Sequence, residues 1–370
     1  MGYRSKGGAG KKKGKGSRAP ASSASAPPRP PHHNFVADAG PGCVISHDAS
    51  PPWALGRERI DPRDYPRDVV FPDLAVNPED GTLSVVNASS VHRVCYVTVY
   101  DHPVLDRDGV AFPSGRAVDD DGKERACVTF ILLLPPRVIL HAATLSEPTS
   151  EIDSDVQDWS RHPDPEDTHP APLGFPLGGD GPWLCTQGEG GALTHFFSGN
   201  LHAVDFRCDV GTDILAVADG EVLEVSQSRS LTGVATSNLY AWNSVMIRCD
   251  VAGGDLIVEY VHIKKDSAVV EVGDKVRRGQ KVCESGEVGF SPEPHLHFTA
   301  FRTRDADAAT CRVRFQAVGA EAGDGGAGDE NTSEPYVPVA GKYYDARGER
   351  PTPRTEADGK DGGGVAGVDA

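Results

Sequence analysis

Between residues 67 and 301 the apolar residues come in short runs of strand length, and no stretch has the spacing of a long amphipathic helix. Ala126–Leu134 (ACVTFILLL) is a nearly continuous apolar run that two prolines end. Val91–Tyr100 (VHRVCYVTVY) alternates in part and is rich in valine and tyrosine, which favour strands. Turn-forming residues separate these runs, as at Asp119–Gly122. The pattern predicts an all-β protein with mainly antiparallel sheets.

Composition divides the chain into five segments. Residues 1–60 form a basic, proline-rich arm that buries too little apolar surface to offset the entropy of ordering, so we expect it to be disordered. Residues 67–145 are predicted to form a small β module, and residues 146–180 an acidic linker. Residues 181–317 are predicted to form the domain that carries the chemistry. Residues 318–370 are expected to be a mostly disordered tail.

The charge of the chain argues against broad nucleic-acid binding. The chain has 37 Lys and Arg against 54 Asp and Glu, a net charge of −17. Positive charge is concentrated in the N-terminal arm, which has no acidic residue before Asp38. Weak contacts between this arm and nucleic acid are therefore the one exception to that expectation. The eight cysteines show no CxxC spacing, which disfavours a cysteine-ligated zinc site. We expect them to be reduced and buried.

The N-terminal residues bear on localisation. They are basic and are followed by Ala, Ser and Pro rather than by the apolar core of a secretory signal. No stretch of the sequence is apolar enough over the length needed to cross a bilayer. We therefore expect a cytosolic or organellar protein. A basic leader without acidic residues also has the composition of an organelle transit peptide, which is the alternative to a solvated arm.

Three short stretches contain residues that could do chemistry. His295 and His297 stand two apart in PHLHF, and on a strand such residues face the same side, which suits a metal ligand beside a proton-transfer group. Asp205 lies between valine and phenylalanine, where a carboxylate is costly to bury unless it is paired or binds a metal. His262 ends the apolar run Tyr-Val-His. Taken singly, the two histidines could face solvent, Asp205 could form a structural salt bridge, and His262 could be an ordinary half-buried histidine.

The order of the motifs resembles that of the lysostaphin/LytM-type zinc metallopeptidases. That family has an early His followed by Asp, a glycine-rich hairpin, a Tyr-x-His, a VGdKVkrGq turn and a final HLHF. The chain has corresponding stretches in the same order: His195 with Asp205, VGTDILAVADGEV (210–222), YVH (260–262), VGDKVRRGQKV (272–282) and PHLHF (294–298). The resemblance implies a lysostaphin-like domain with the duplicated hybrid motif fold.

The resemblance also implies a role for each residue. His195, Asp205 and His297 would bind one zinc ion per chain and leave a fourth position for water, as in catalytic zinc sites. His262 and His295 would flank that water. One of them would take its proton, and the other would stabilise developing charge or protonate the leaving amine.

The identity of the first ligand has an alternative. The best-known members place the first His four residues before the Asp, where this chain has Leu201. His202 is a candidate instead, although residues three apart on a strand face opposite sides, which separates it from Asp205. We prefer His195, because other members resemble this chain in having a histidine well upstream. His202 would then line the site or bind substrate, and Asn243 is a second candidate for substrate binding.

These assignments predict a zinc-dependent metalloendopeptidase, and the resemblance implies a glycine-containing peptide or a peptidoglycan-type substrate. The alternative is an inactive domain of the same fold that binds a peptide or a partner. Degenerate domains of that kind lose ligands, whereas this chain keeps the three proposed ligands and both flanking histidines. A third interpretation makes the histidines incidental in a β-rich interaction protein. Peptide cleavage with zinc bound separates the first interpretation from the second.

Overall fold

The computed structural model describes residues 40–61, 63, 73–159, 163–305, 308–317 and 334–353. These residues form strands and two short 3-10 helices, Pro165–Asp167 and Thr236–Asn238, and include no α-helix. The prediction of an all-β protein with mainly antiparallel sheets is therefore confirmed. Within the same ranges no helix is long and apolar enough to cross a bilayer. Most of the predicted arm and most of the predicted tail lie outside the described residues.

Two sheets build the N-terminal part. The five-stranded sheet contains β2 (Gly56–Arg59), β3 (Asp73–Val76), β4 (Thr82–Asn87), β6 (Val104–Leu105) and β9 (Val138–Leu145), in the order β2-β9-β4-β3 with β6 paired to β9. The six-stranded sheet contains β1 (Cys43–Ser46), β5 (Arg93–Tyr100), β7 (Gly115–Val118), β8 (Glu124–Leu134), β10 (Ile152–Asp158) and β15 (Thr232–Gly233). Its order is β10-β5-β8-β7-β15, and β1 pairs in parallel with β8.

The six-stranded sheet is buried on both faces, which explains the continuous apolar run of β8. Phe130 and Leu132 lie in the core between this sheet and the five-stranded sheet. Ile131, on the opposite face, lies in a second cluster with Phe196 and Phe290. Those two phenylalanines come from the C-terminal part of the chain, so the two parts share a core.

The C-terminal part is built on a nine-stranded antiparallel sheet. Its strands are β11 (Trp183–Gln187), β12 (Val204–Arg207), β14 (Gly220–Ser226), β16 (Ser244–Cys249), β17 (Ile257–Val261), β18 (Lys275–Val276), β20 (His295–Phe301), β21 (Tyr343–Asp345) and β22 (Gly348–Arg350). Their order is β18-β14-β16-β17-β20-β12-β11-β21-β22. A separate two-stranded sheet pairs β13 (Asp213–Leu215) with β19 (Lys281–Glu284).

The nine-stranded sheet has one apolar face and one face that carries the chemistry. On β20, Leu296 and Phe298 lie in the core cluster, so the alternate residues His295 and His297 point to the opposite face. On β12, both neighbours of Asp205 likewise lie in the core. We call the face that bears Asp205 and His297 the site face.

The structure differs from the sequence prediction in four segments. Strand β10 lies inside 146–180, where we predict a linker, because its Ile152 and Val156 pack against the N-terminal core. Strands β1 and β2 lie inside the arm predicted to be disordered, and β1 pairs along β8. Strand β15 of the predicted catalytic domain joins the six-stranded sheet, and β21 and β22 extend the nine-stranded sheet beyond residue 317.

The turn signal at Asp219-Gly220 suggests a hairpin across Ile214–Val225, and that hairpin does not form. Strand β13 pairs with β19, whereas β14 pairs with β16 and β18. Asp219 instead accepts a hydrogen bond from the backbone N of Arg278, 2.8 Å away. The turn signal is local, whereas the partner of each strand is set by contacts far along the chain.

Candidate metal centre

The predicted ligands His195, Asp205 and His297 lie together, and we call them the His–Asp–His group. Asp205 Oδ1 is 2.8 Å from His297 Nδ1 and 3.2 Å from His195 Nε2, and the two ring nitrogens are 3.2 Å apart. Their exposed fractions are 0% for His195, 4% for Asp205 and 6% for His297. In the part of the chain that the structure describes, no other three His, Cys, Asp or Glu side chains converge in this way.

Two paired strands and one loop bring the group together. Strands β12 and β20 are antiparallel neighbours, and their register places Asp205 directly opposite His297. His195 comes from the loop 188–203, which joins β11 to β12. Its neighbour Phe196 is fully buried in the cluster under the six-stranded sheet. The loop therefore returns His195 to Asp205 despite their separation in sequence.

Backbone carbonyl groups fix the tautomer of three histidines. Each of these rings has Nδ1 close to a carbonyl oxygen: His195 at 3.1 Å from Gly188, His262 at 2.7 Å from Val288 and His295 at 2.8 Å from Glu293. A carbonyl oxygen can only accept, so each Nδ1 carries a hydrogen, and in the neutral form of each ring Nε2 keeps a lone pair. His297 differs, because its Nδ1 faces Asp205.

His262 and His295 lie beside the group. Their ring centroids are 4.5 Å apart, and His262 is 5.8 Å from His297. Nε2 of His295 is 3.9 Å from Asp205 Oδ1. His262 has a φ of 63°, which is uncommon for a residue other than glycine, and it follows the last residue of β17. A Cβ at Gly289, whose own φ is +107°, would lie 3.3 Å from His262 Nδ1, so this close approach favours glycine.

Burial and mutual contacts set the ionisation of the site. Burial opposes the charge of Asp205, but the surrounding His195, His295 and His297 hold the pKa of its carboxyl well below the usual range. Burial lowers the pKa of His262 well below its usual value, and the neighbouring histidines lower it further. Burial also lowers the pKa of His297, against the attraction of Asp205. The lowered pKa values of Asp205 and His297 favour an ionised carboxylate and a neutral imidazole, the forms in which these two residue types bind metals.

The atoms that converge in the group fit a zinc ion. His195 Nε2 and ionised Asp205 carry no hydrogen, so among the three atoms only His297 Nδ1 can supply one to the centre. Ligand atoms about 2.0–2.1 Å from a tetrahedral zinc lie about 3.3 Å apart. The separations of 3.2, 3.2 and 2.8 Å are close to that value. Imidazole and carboxylate donors are also ligands that zinc accepts.

Gln187 braces the group, and no motif in the sequence predicts it. The side chain is fully buried, and its Nε2 donates to Asp205 Oδ2 at 2.8 Å. Its Oε1 accepts from the backbone N of Leu193 at 3.0 Å and of Thr194 at 3.1 Å. A Cβ at Gly191 would lie 2.3 Å from Gln187 Cγ, so the glycine makes room for the amide. The one sequence signal is weak: an amide at the end of an apolar strand, before a glycine-rich run.

His202 and Asn243 lie outside the group. His202 Nδ1 is 2.9 Å from the carbonyl oxygen of Thr310, and burial lowers the pKa of the ring. Asn243 is fully buried, and its amide bonds to the backbone N and O of Arg229 at 3.1 and 3.0 Å. Both side chains are therefore held by backbone contacts, and their part in substrate binding stays a prediction.

A comparison with models of known protein families matches part of the chain. The family model described as "Peptidase family M23" matches residues 199–308. The matched stretch contains Asp205, His262, His295 and His297. His195 precedes it, so geometry alone places this histidine in the group.

Several curated proteins are similar over the same region. An uncharacterized metalloprotease of Buchnera aphidicola is 34% identical over 95 residues, which are 26% of this chain and 21% of that protein. The glycyl-glycine endopeptidase ALE-1 of Staphylococcus capitis is 35% identical over 101 residues, 27% of this chain and 24% of that protein. This chain therefore spans about a fifth to a quarter of the length of these relatives. Among solved structures, the catalytic domain of lysostaphin from Staphylococcus simulans is 26% identical, with a TM-score of 0.24, and the match covers 37% of this chain and 86% of that one.

Proposed function

Because residues 199–308 belong to peptidase family M23, the lysostaphin/LytM-type metallopeptidases, we propose that this protein is a zinc-dependent endopeptidase. The observation that carries the proposal is the convergence of His195, Asp205 and His297 beside two further buried histidines. The proposed substrates are glycine-containing or peptidoglycan-type peptides. Two similar proteins support that choice: the glycyl-glycine endopeptidase ALE-1, and the peptidoglycan DD-endopeptidase ShyA of Vibrio cholerae, which is 31% identical over 97 residues.

The His–Asp–His group would hold the zinc ion. When bound, the ion supplies a Lewis acid that makes hydroxide available from water near neutral pH. Gln187 keeps Asp205 in place by bonding its Oδ2, which leaves Oδ1 for the ion. The Nδ1–H of His195 is committed to the carbonyl oxygen of Gly188, which holds that ring with Nε2 toward the centre.

His262 and His295 supply the proton transfers in this proposal. Each ring commits its Nδ1–H to a backbone carbonyl, so each Nε2 can exchange a proton with the reactants. Burial keeps His262 neutral, the form that accepts a proton from the attacking water. A ring that has taken this proton can return it to the leaving amine. Because these side chains are buried, the charges that develop during the reaction interact strongly with them.

The inactive alternative would bind peptides without cutting them. Loss of a ligand or of a flanking histidine would favour it, and all five residues are present and close together. We therefore prefer the active enzyme.

The test is peptide cleavage by the zinc-loaded full chain. Wild-type protein, His262→Ala and His295→Ala are compared on a panel of glycine-rich peptides and peptidoglycan fragments. Removing a general acid or base lowers kcat by roughly 10²- to 10⁴-fold, so each variant should lose at least about 100-fold in kcat while it keeps its zinc. His141→Ala is the matched control, since His141 bonds Ser84 in the five-stranded sheet. Failure of zinc-loaded wild type to cut any member of the panel, or full activity in both variants, would contradict the proposal.

A further inference from the structure

A second polar cluster lies on the site face beside the His–Asp–His group. His297 and Thr299 stand two residues apart on β20, so both point to this face about 7 Å apart along the strand. Thr299 is paired directly with Glu259 on the neighbouring β17. Residues that are paired across antiparallel strands lie on the same face. Thr299 and Glu259 are therefore next to the metal ligands on the same surface of the sheet.

The hydroxyl of Thr299 has no hydrogen-bond partner in the described part of the chain. The side chain is 2% exposed, and its Oγ1 is buried without a hydrogen bond to any described residue. Buried hydroxyl groups nearly always have a partner, because losing water without a replacement is unfavourable. An unpaired hydroxyl next to a proposed active site therefore indicates that a ligand completes it.

Within the described residues, the carboxylate of Glu259 is not paired with a cationic side chain. Its Oε1 accepts from the indole N–H of Trp242 at 3.3 Å, and no lysine or arginine among the described residues forms an ion pair with it. Burial raises the pKa of this carboxyl, although hydrogen bonds from Ser244 and Trp242 oppose the rise. The nearby Glu224 differs, because it is exposed and pairs with Arg304 at 3.7 Å. Glu259 is half-buried, so a ligand can reach it.

We propose that Glu259 and Thr299 form a subsite for an ammonium group of the peptide substrate. An ammonium has three donors and no acceptor, so it can bond the Glu259 carboxylate and the Thr299 hydroxyl together and keep one donor for water. An acidic side chain is repelled at this position. The distance of about 7 Å from His297 is roughly two residues of an extended chain. The amine therefore belongs to a residue within about two positions of the bond that is cut, as a lysine-type side chain would.

This inference rests on the proposed function, because that function defines where the cut bond lies relative to the subsite. Its test has two readouts, cleavage and binding. A glycine-rich decapeptide series carries one lysine at successive positions, and a matched series carries Nε-acetyl-lysine instead. Cleavage is measured as kcat/KM with zinc-loaded full chain, and binding is measured by calorimetry. At one position the lysine peptide should be preferred about tenfold or more in both readouts, because a hydrogen bond between charged groups is worth more than one decade.

Variants assign the preference to the subsite. Glu259→Gln keeps the shape and removes the charge, so it should reduce the preference to about twofold or less. Thr299→Val keeps the volume and removes the hydroxyl, and it should lower the preference in part. Glu224→Gln is the matched control on the same face and should keep the full preference.

The outcomes separate this inference from the proposed function. If no peptide is cut but the lysine peptide still binds better in a Glu259-dependent manner, the subsite stands and the peptidase proposal fails. If both series are cut or bound equally, or if Glu259→Gln keeps the preference, the subsite is wrong. Absence of binding for every peptide also overturns it.

Discussion

At the scale of single residues, the His–Asp–His group depends on a side chain that is not a ligand. Gln187 bonds Asp205 on one side and the backbone of Leu193 and Thr194 on the other. One amide therefore fixes both the carboxylate and the loop that carries His195. Partners of this kind typically account for a 10- to 100-fold effect on metal affinity.

We expect Gln187→Ala to weaken zinc binding by about 10- to 100-fold, since it frees Asp205 Oδ2 and leaves the buried N–H of Leu193 and the half-buried N–H of Thr194 without their partner. Affinity is measured by competition with a chelator, and thermal melts identify any general loss of fold. Gln280→Ala is the control, because the Gln280 side chain accepts from Arg277 in an exposed turn. Wild-type affinity in a folded Gln187→Ala protein would show that the amide is dispensable.

The sequence predicts the proposed metal ligands and flanking histidines better than it predicts the residues that surround them. His262, His295 and His297 can be found because the family motifs fix their order. Gln187 and Glu259 cannot be found in this way, because an amide or a carboxylate on a strand is ordinary in sequence. Their importance depends on which strand lies beside them, and the local pattern does not encode that register.

At the scale of elements, the loop that carries His195 is held by the N-terminal part of the chain. Tyr96 of β5 donates its hydroxyl to the carbonyl oxygen of Leu193 at 2.7 Å. Its ring stacks on Phe196 with centroids 6.2 Å apart and meets Phe290 edge-on at 5.9 Å. The six-stranded sheet therefore positions a proposed zinc ligand that it does not contain.

Tyr96→Ala should lower the free energy of unfolding by about 3–5 kcal/mol, as large aromatic truncations do, and should also weaken zinc binding by loosening the loop. Tyr96→Phe removes only the hydroxyl and should cost about 1 kcal/mol, with zinc affinity close to wild type. Urea unfolding and zinc titration measure the two effects. If Tyr96→Ala is destabilised but binds zinc as tightly as wild type, the sheet supports the fold without positioning the site.

Strands could be predicted where their periodicity is strong, and their partners could not. Arg93–Tyr100 and Glu124–Leu134 fall where the apolar runs indicate. Ile152–Asp158 is not recognisable as a strand in the sequence because it contains several acidic residues. These residues lie on an edge strand, where charge is tolerated.

At the scale of the whole molecule, the N-terminal module and the site-bearing part are joined through a sheet as well as a core. β15 lies in the loop between β14 and β16, and it pairs with β7. A Cβ at Gly233 would lie 2.0 Å from the carbonyl oxygen of Arg116, and the φ of Gly233 is +103°, so this junction requires glycine. The acidic stretch at 146–180 suggests separable modules, whereas the contacts indicate that neither part is complete alone.

The zinc content of the full chain tests the central claim most directly. Elemental analysis compares wild type, His297→Ala and the control His141→Ala, each purified with zinc present and then dialysed. A catalytic site of this donor set should hold about one zinc per chain in wild type and in His141→Ala, and His297→Ala should lose it. Folded wild-type protein without zinc, or His297→Ala with the same zinc content as wild type, would contradict the account.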